Sequence, residues 1–351
     1  MPWRHAPARH TDPYLGAAGR AGQTGLPRQA TEKLGPDHGR AVILLAGADE
    51  LMHHDPATAA SWLTTASDLL PRTDPRRYDA QLLLAGAHLL LGRPDETRRG
   101  LRALVPQPTA PRASARFALY HGRASRLLDR RREARALFEN GLRTADGDTG
   151  DVVPLHTEIA ELALEDLDLP TAVWYAAAAA GLARGLADRT GEAGALAVLS
   201  LARLHAGDAA PARVAATAAT AAADLIDAAP DAELIRDLAS LRRLGAAESA
   251  LDRLPDAERH LARGLTLSYD TGQAHVRGEL LTSLAQVQLR RGCFQHALGS
   301  LTEARRAVLP GDVARAALIE TTYAEVAPRS WPAWTSGTAA RNRPPAPDGR
   351  E

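Results

Sequence analysis

Two stretches far apart in the chain, "LDRRREARALFENGL" at 128–142 and "LDRLPDAERHLARGL" at 251–265, carry one pattern. Both read Leu-Asp-Arg, three variable residues, Ala, three more, a large apolar residue, two more, and Gly-Leu. Intermediate copies fill the space between and around them. With Ala134 and Ala257 as anchors, small or short residues recur in equivalent settings at Ala60, Thr97, Ala172, Ala212 and Ala297. Successive anchors stand 37, 37, 38, 40, 45 and 40 residues apart. Twelve residues before each anchor lies another small residue: Ala48, Ala85, Gly122, Ala160, Ser200, Gly245 and Ala285. Five before it lies a turn or capping residue, Asp55, Gly92, Asp129, Gly207, Asp252 or Gly292, with Leu167 as the exception. A unit of this length cannot bury its own apolar face, so a chain written in such units folds by stacking them.

The spacing is that of helix, turn, helix. Small residues on both helices let two backbones approach where they cross, and the residue between them must end one helix and start the next. Proline falls at the opening of second helices (Pro56, Pro94, Pro170, Pro211, Pro255), where its missing N–H costs nothing. Asp55 before Pro56 is an N-cap residue. The large residue four after the anchor (Leu101, Phe138, Leu261, Leu301) lies on the same helix face and fills the space beneath. Aromatic residues are only 4% of the chain, so the core is built from Leu and Ala, which suits closely packed helices. The expectation is an all-α solenoid, a right-handed superhelix of about seven helix pairs over 41–309, closed by a helix near 312–326. The repeat domain is set at 41–327. Residues 1–40 and 328–351, each with five prolines and no apolar periodicity, are expected to be irregular or disordered.

This small–turn–alanine–large pattern resembles the tetratricopeptide repeat, with units longer than the usual ones. Two stretches, "DPATAASWLTTASDLLPRTDPRRYDAQLLLAGAHLLLGRPDETRRGLRAL" and "DAAPDAELIRDLASLRRLGAAESALDRLPDAERHLARGLTLSYDTGQAHV", further resemble the repeat region of large ATP-binding LuxR-type regulators from actinobacteria, relatives of the maltose-regulon activator. The resemblance spans about 41–327. In that family an ATPase precedes the repeats and a helix-turn-helix DNA reader follows them. Here no G-x-x-x-x-G-K-[ST] occurs, and "GAAGRAGQTG" at 16–25 lacks the lysine. The resemblance therefore implies a regulator's sensor segment that binds neither ATP nor specific DNA by itself. A free-standing adaptor that assembles protein complexes is the alternative, and a direct nucleic-acid binder a third.

Composition excludes several other classes. The formal net charge is zero, so no global field recruits nucleic acid or an anionic membrane. A single cysteine, Cys293, leaves no internal disulfide and fits a reducing, cytoplasmic compartment. No apolar run is long enough to cross a membrane; the alanine-rich 171–187 segment is broken by Gly181, Arg184 and Gly185. His53, His54 and Asp55 invite a metal reading. However, neighbours on a helix point apart and no third ligand follows at i+3 or i+4, so a capped helix end is expected, with no metal and no cofactor. No catalytic motif stands out, and the chain is read as a non-enzyme.

Charge placement is more informative. Residues 112–143 hold nine arginines, and 146–168 hold eight acids and no Lys or Arg. Arg116, Arg123 and Arg126 fall at first-helix positions that line the inner surface of such repeats, as do Glu161 and Glu165 in the next unit. Two readings stay open. One is a bipolar groove on the concave face for a protein, peptide or small effector; the other is mutual compensation between stacked units. Trp174 and Tyr175 are expected to fill the core at a wide helix junction, with a ligand cage as the alternative.

Overall fold

A computed structural model describes residues 36–104, 111–145, 151–207 and 209–330. Sixteen helices and no strand occur among the described residues. In chain order they are α1 (Pro36–Leu51), α2 (Pro56–Leu69), α3 (Pro75–Leu90), α4 (Pro94–Ala103), α5 (Pro111–Leu127), α6 (Arg131–Thr144), α7 (Val152–Glu165) and α8 (Leu169–Gly185). Then follow α9 (Arg189–His205), α10 (Ala209–Ala228), the single turn α11 (Asp231–Leu234), α12 (Ala239–Ala250), α13 (Leu254–Asp270), α14 (Arg277–Arg290), α15 (Phe294–Ala307) and α16 (Val313–Ser330). Apart from α11 and the closing α16, these pack as seven consecutive hairpins, each against the next.

The repeat spacing explains the hairpins. Asp55 caps α2, its carboxylate accepting from the Thr58 N–H at 3.0 Å, with Pro56 at the first helical position. Between later hairpin partners the chain reverses through a left-handed residue: Gly92 (φ 72°), Asp129 (56°), Gly207 (83°), Asp252 (62°) and Gly292 (75°). Leu167, the exception in sequence, takes the same conformation (φ 58°) with its side chain 69% exposed. The turn geometry is thus imposed by the flanking helices, against the preference of that residue.

At the crossings, Thr97, Ala134, Ala257 and Ala297 are fully buried, as are Leu101, Phe138, Leu261 and Leu301 four residues on, and Ala172 is fully buried too. The small residues on the first helices are sized to these neighbours. A Cβ on Gly122 would lie 2.2 Å from the Phe138 ring, and one on Gly245 2.5 Å from Leu261.

One anchor differs. Ala212 is exposed, and the close approach in the fifth hairpin falls three residues later, where the Ser200 hydroxyl donates to the Ala215 carbonyl at 2.9 Å. Helix α10 is alanine-rich along most of its length, so its sequence offers several equivalent registers. A second irregularity follows at once, the extra turn α11 between α10 and α12. Together they account for the lengthened spacing between Ala172 and Ala257.

The ends differ slightly from expectation as well. Helix α1 starts at Pro36, where a proline at the opening and Asp37 in the first turn favour initiation. The last helix runs to Ser330. Residues 1–35 and 331–351, the bulk of the two segments expected to be irregular, lie outside the described residues. No helix among the described residues is long and apolar enough to cross a membrane.

The array also turns back on itself. The Ala274 N–H donates to the Leu90 carbonyl at 2.8 Å, joining the entry of α14 to the end of α3. Buried Gln273 donates through one amide nitrogen to the carbonyls of His53 (2.9 Å) and Ile235 (2.7 Å). Leu309 sits over Gly92, and Gly311 over Leu128. Turns of the first three hairpins therefore touch the last two.

Candidate functional site

All five charged residues singled out in sequence project from first helices, and the structure joins four of them, Arg123, Arg126, Glu161 and Glu165, in one network through Glu158. From α5, the Arg123 Nε donates to Glu158 at 2.8 Å. Arg126 reaches Glu158 and Glu161 at 3.0 Å each and Glu165 at 2.8 Å. Arg116 lies apart, holding Asp151 at 3.2 Å and facing Asp49 at 3.9 Å. The acids stand three and four residues apart on α7, a spacing that puts them on one face.

Sequence reasoning did not single out Glu158, and it missed the second half of the network, which comes from the far side of the closed array. Arg243, only 2% exposed, binds Glu158 (3.3 Å), Glu161 (3.0 Å) and Asp237 (3.2 Å). Arg242 pairs with Glu161 and with Glu279 (2.8 Å), and Arg315 reaches Glu279 at 3.0 Å. The contacts of Arg243 with Glu158 and Glu161 link residues 85 and 82 positions apart, so neighbouring units alone could not foretell them. The signal in the sequence is the adjacent Arg242–Arg243 pair on a first helix, just after the long spacing.

The electrostatics follow from burial and pairing. Burial opposes ionisation of Glu161, but Arg242, Arg243 and Arg126 outweigh it and hold its carboxyl well below the usual range. Glu158 is lowered in the same way against burial, by Arg123, Arg126 and Arg243. Glu279 is brought down to about 2 by Arg242 and Arg315 despite its desolvation. Such a network is fully charged at neutral pH. The arginines are saturated by the chain's own carboxylates, which is the compensation reading of the charge blocks.

Among the described residues, hollows flank this ionic plug. One, of about 270 Å³, is lined by plug residues together with His275, Asp312 and Leu318. A second, of about 760 Å³, opens among α1, α5, α7, α9 and the 230–237 turn, with Arg116, Tyr120, Asp151, Thr190, Glu233 and Arg236 on its wall. A recess of about 30 Å³ adjoins it, lined by His53, Tyr120, Arg123, Arg236, Gln273 and His275.

His53 therefore faces the interior; among the described residues no group of three or more His, Cys, Asp or Glu side chains is placed to hold a metal ion. Its buried Nδ1 has no hydrogen-bond partner. Burial, then Arg236, Arg123, His54 and Arg116, push its pKa down to about 4. His275 is also lowered to about 4, by burial first and Arg123 next.

The Trp174–Tyr175 expectation needs correction. Tyr175 packs, partly buried, against the core cluster that includes Ile159, but Trp174 is 61% exposed, edge-on to Tyr175 at 4.7 Å. Adjacent helix residues point about 100° apart, so only one of the two can face the core.

No protein-family model matches the sequence, and no curated protein is similar to it in sequence. Solved structures do resemble it. The Rap protein complexed with competence and sporulation factor superposes with a TM-score of 0.53 at 11% identity, over 81% of this chain and 78% of that one. NprR in complex with its cognate peptide NprX gives 0.48 at 14% identity, over 78% and 82%. A thermophilic tetratricopeptide-repeat protein from Thermus thermophilus gives 0.42 at 20% identity, over 59% and 98%. The fold is all-α and tetratricopeptide-like, a stack of paired helices.

Proposed function

We propose that this chain is a helical-repeat interaction module that binds a protein or peptide segment on its inner surface. The observation that carries this reading is the 760 Å³ hollow beside Arg116, walled by side chains of both charges and open to solvent. A packed scaffold with a preformed hollow of that size is suited to binding. The likeness to Rap, solved with competence and sporulation factor bound, supports the same reading. Within it, Arg116, Arg123 and Arg126 with Glu161 and Glu165 form the basic and acidic borders that orient a charged partner. Arg116 and Arg123 border the hollow directly, and Arg126, Glu161 and Glu165 set its field from the plug. The sequence resemblance to LuxR-type regulators supports the sensor part of such a regulator as the biological role, with a free-standing adaptor as the second reading.

A capture experiment tests the reading. Ala232 is exposed on the rim of the hollow, so Ala232→Trp blocks it without disturbing the fold. A defined partner retained by the chain and lost with Ala232→Trp is the expected result. A partner retained equally by both overturns the inner-surface site. Salt-sensitive retention on DNA with no protein partner would favour nucleic-acid binding instead, because phosphate contacts release counterions.

A further inference from the structure

Of the four arginines that line the larger hollow, Arg116, Arg123 and Arg243 each hold a carboxylate. Arg236 is exposed and has no ion-pair partner among the described residues. It stands on the turn after α11, the extra piece of chain in this hairpin. Gln273 pins that turn to the first hairpin by donating to both Ile235 and His53 carbonyls, which brings Arg236 and His53 to one recess. The recess thus offers an unused guanidinium and a buried imidazole nitrogen with no partner.

The acids nearby do not fill this role. Asp237 is taken by Arg243, and Asp49 and Asp151 face Arg116. Asp188 caps α9 through the Gly191 N–H. Glu233, one turn before Arg236, reaches no cation among the described residues.

We propose that this recess is a carboxylate subsite: Arg236 pairs with an anionic group of the partner, and the His53 Nδ1–H donates to the same group. The volume, about 30 Å³, suits a carboxylate or the waters that it displaces. A guanidinium gives two parallel bonds to such a group. Burial is the main cause that lowers His53, and Arg236 and Arg123, which add to it, make the field there more favourable to an anion. This subsite rests on the inner-surface reading above, but its failure would leave that reading standing. The carboxylate comes from a peptide C-terminus or from an acidic side chain.

Side-chain NMR on the full chain, with the His53 signal assigned through His53→Gln, separates these sources. Three acetylated alanine-rich pentapeptides serve as probes: one with a free C-terminus, one amidated with a central glutamate, and one amidated without an acid. At least one acidic peptide should shift the His53 ring signal, naming the source, while the neutral peptide does not. Arg236→Gln should weaken that binding about tenfold or more, as expected for a charged hydrogen-bond partner, with melting unchanged. Glu233→Gln should tighten it. The subsite is overturned if neither acidic peptide moves His53, if the neutral peptide moves it equally, or if Arg236→Gln has no effect. Loss of capture in Ala232→Trp remains an independent test of the broader reading.

Discussion

Leu167 holds a left-handed conformation that costs an L-residue about 1–2 kcal/mol, and most of its side chain is in water. Leu167→Gly removes that strain, while glycine's greater freedom in the unfolded chain returns part of the gain. The expected net effect is a stabilisation of up to about 1 kcal/mol, seen as a higher denaturant midpoint at unchanged slope. A lower midpoint would mean that this turn is not strained. Gly122 is the opposite case. A methyl group there meets the buried Phe138 ring, so Gly122→Ala should cost about 1–3 kcal/mol, as should Ala134→Leu and Ala257→Leu. Melts of the three variants that match the parent would refute the crossing assignments. These positions were legible because each is one of seven copies. Ala212 was not: in an alanine-rich helix, residue type no longer distinguishes one register from the next.

Among the helices, α5, α7, α12 and α14 meet through charge, and their pH response can be signed. His53 and His275 are held near 4 when folded against an ordinary 6.5. The unfolded chain takes up these protons first, so their contribution is complete above about pH 6.5 and is lost as pH falls toward 4. Glu279 is held near 2 against 4.5, so its contribution is lost between about pH 4.5 and 2. Urea midpoints measured against pH should therefore decline over both windows. His275→Gln should flatten the upper one, and Glu279→Gln the lower. An unchanged profile in both variants would separate these groups from acid unfolding. Arg123→Glu sets a carboxylate against buried Glu158 and should cost about 3 kcal/mol, because the remaining charge stays buried. Half of this network could be read in advance, since the stripes on α5 and α7 follow helical periodicity. Arg242, Arg243 and Glu279 could not, because only the closure of the array brings them near.

For the molecule as a whole, an open solenoid confines damage to neighbouring units. Here the Gln273, Ala274 and Leu309 contacts tie the sixth and seventh hairpins to the first and second. Gln273→Ala should therefore speed amide exchange not only locally but also in the turns around His53 and Leu90. If exchange there is unaltered, the closure adds no stability. The same seam has a kinetic consequence. Each hairpin can zip onto its neighbour through contacts close in sequence, and such steps are fast. The seam joins residues 220 positions apart and can form only when most of the stack is in place. Refolding should pass through a fully helical but unclasped coil, with helicity recovered before the seam shuts.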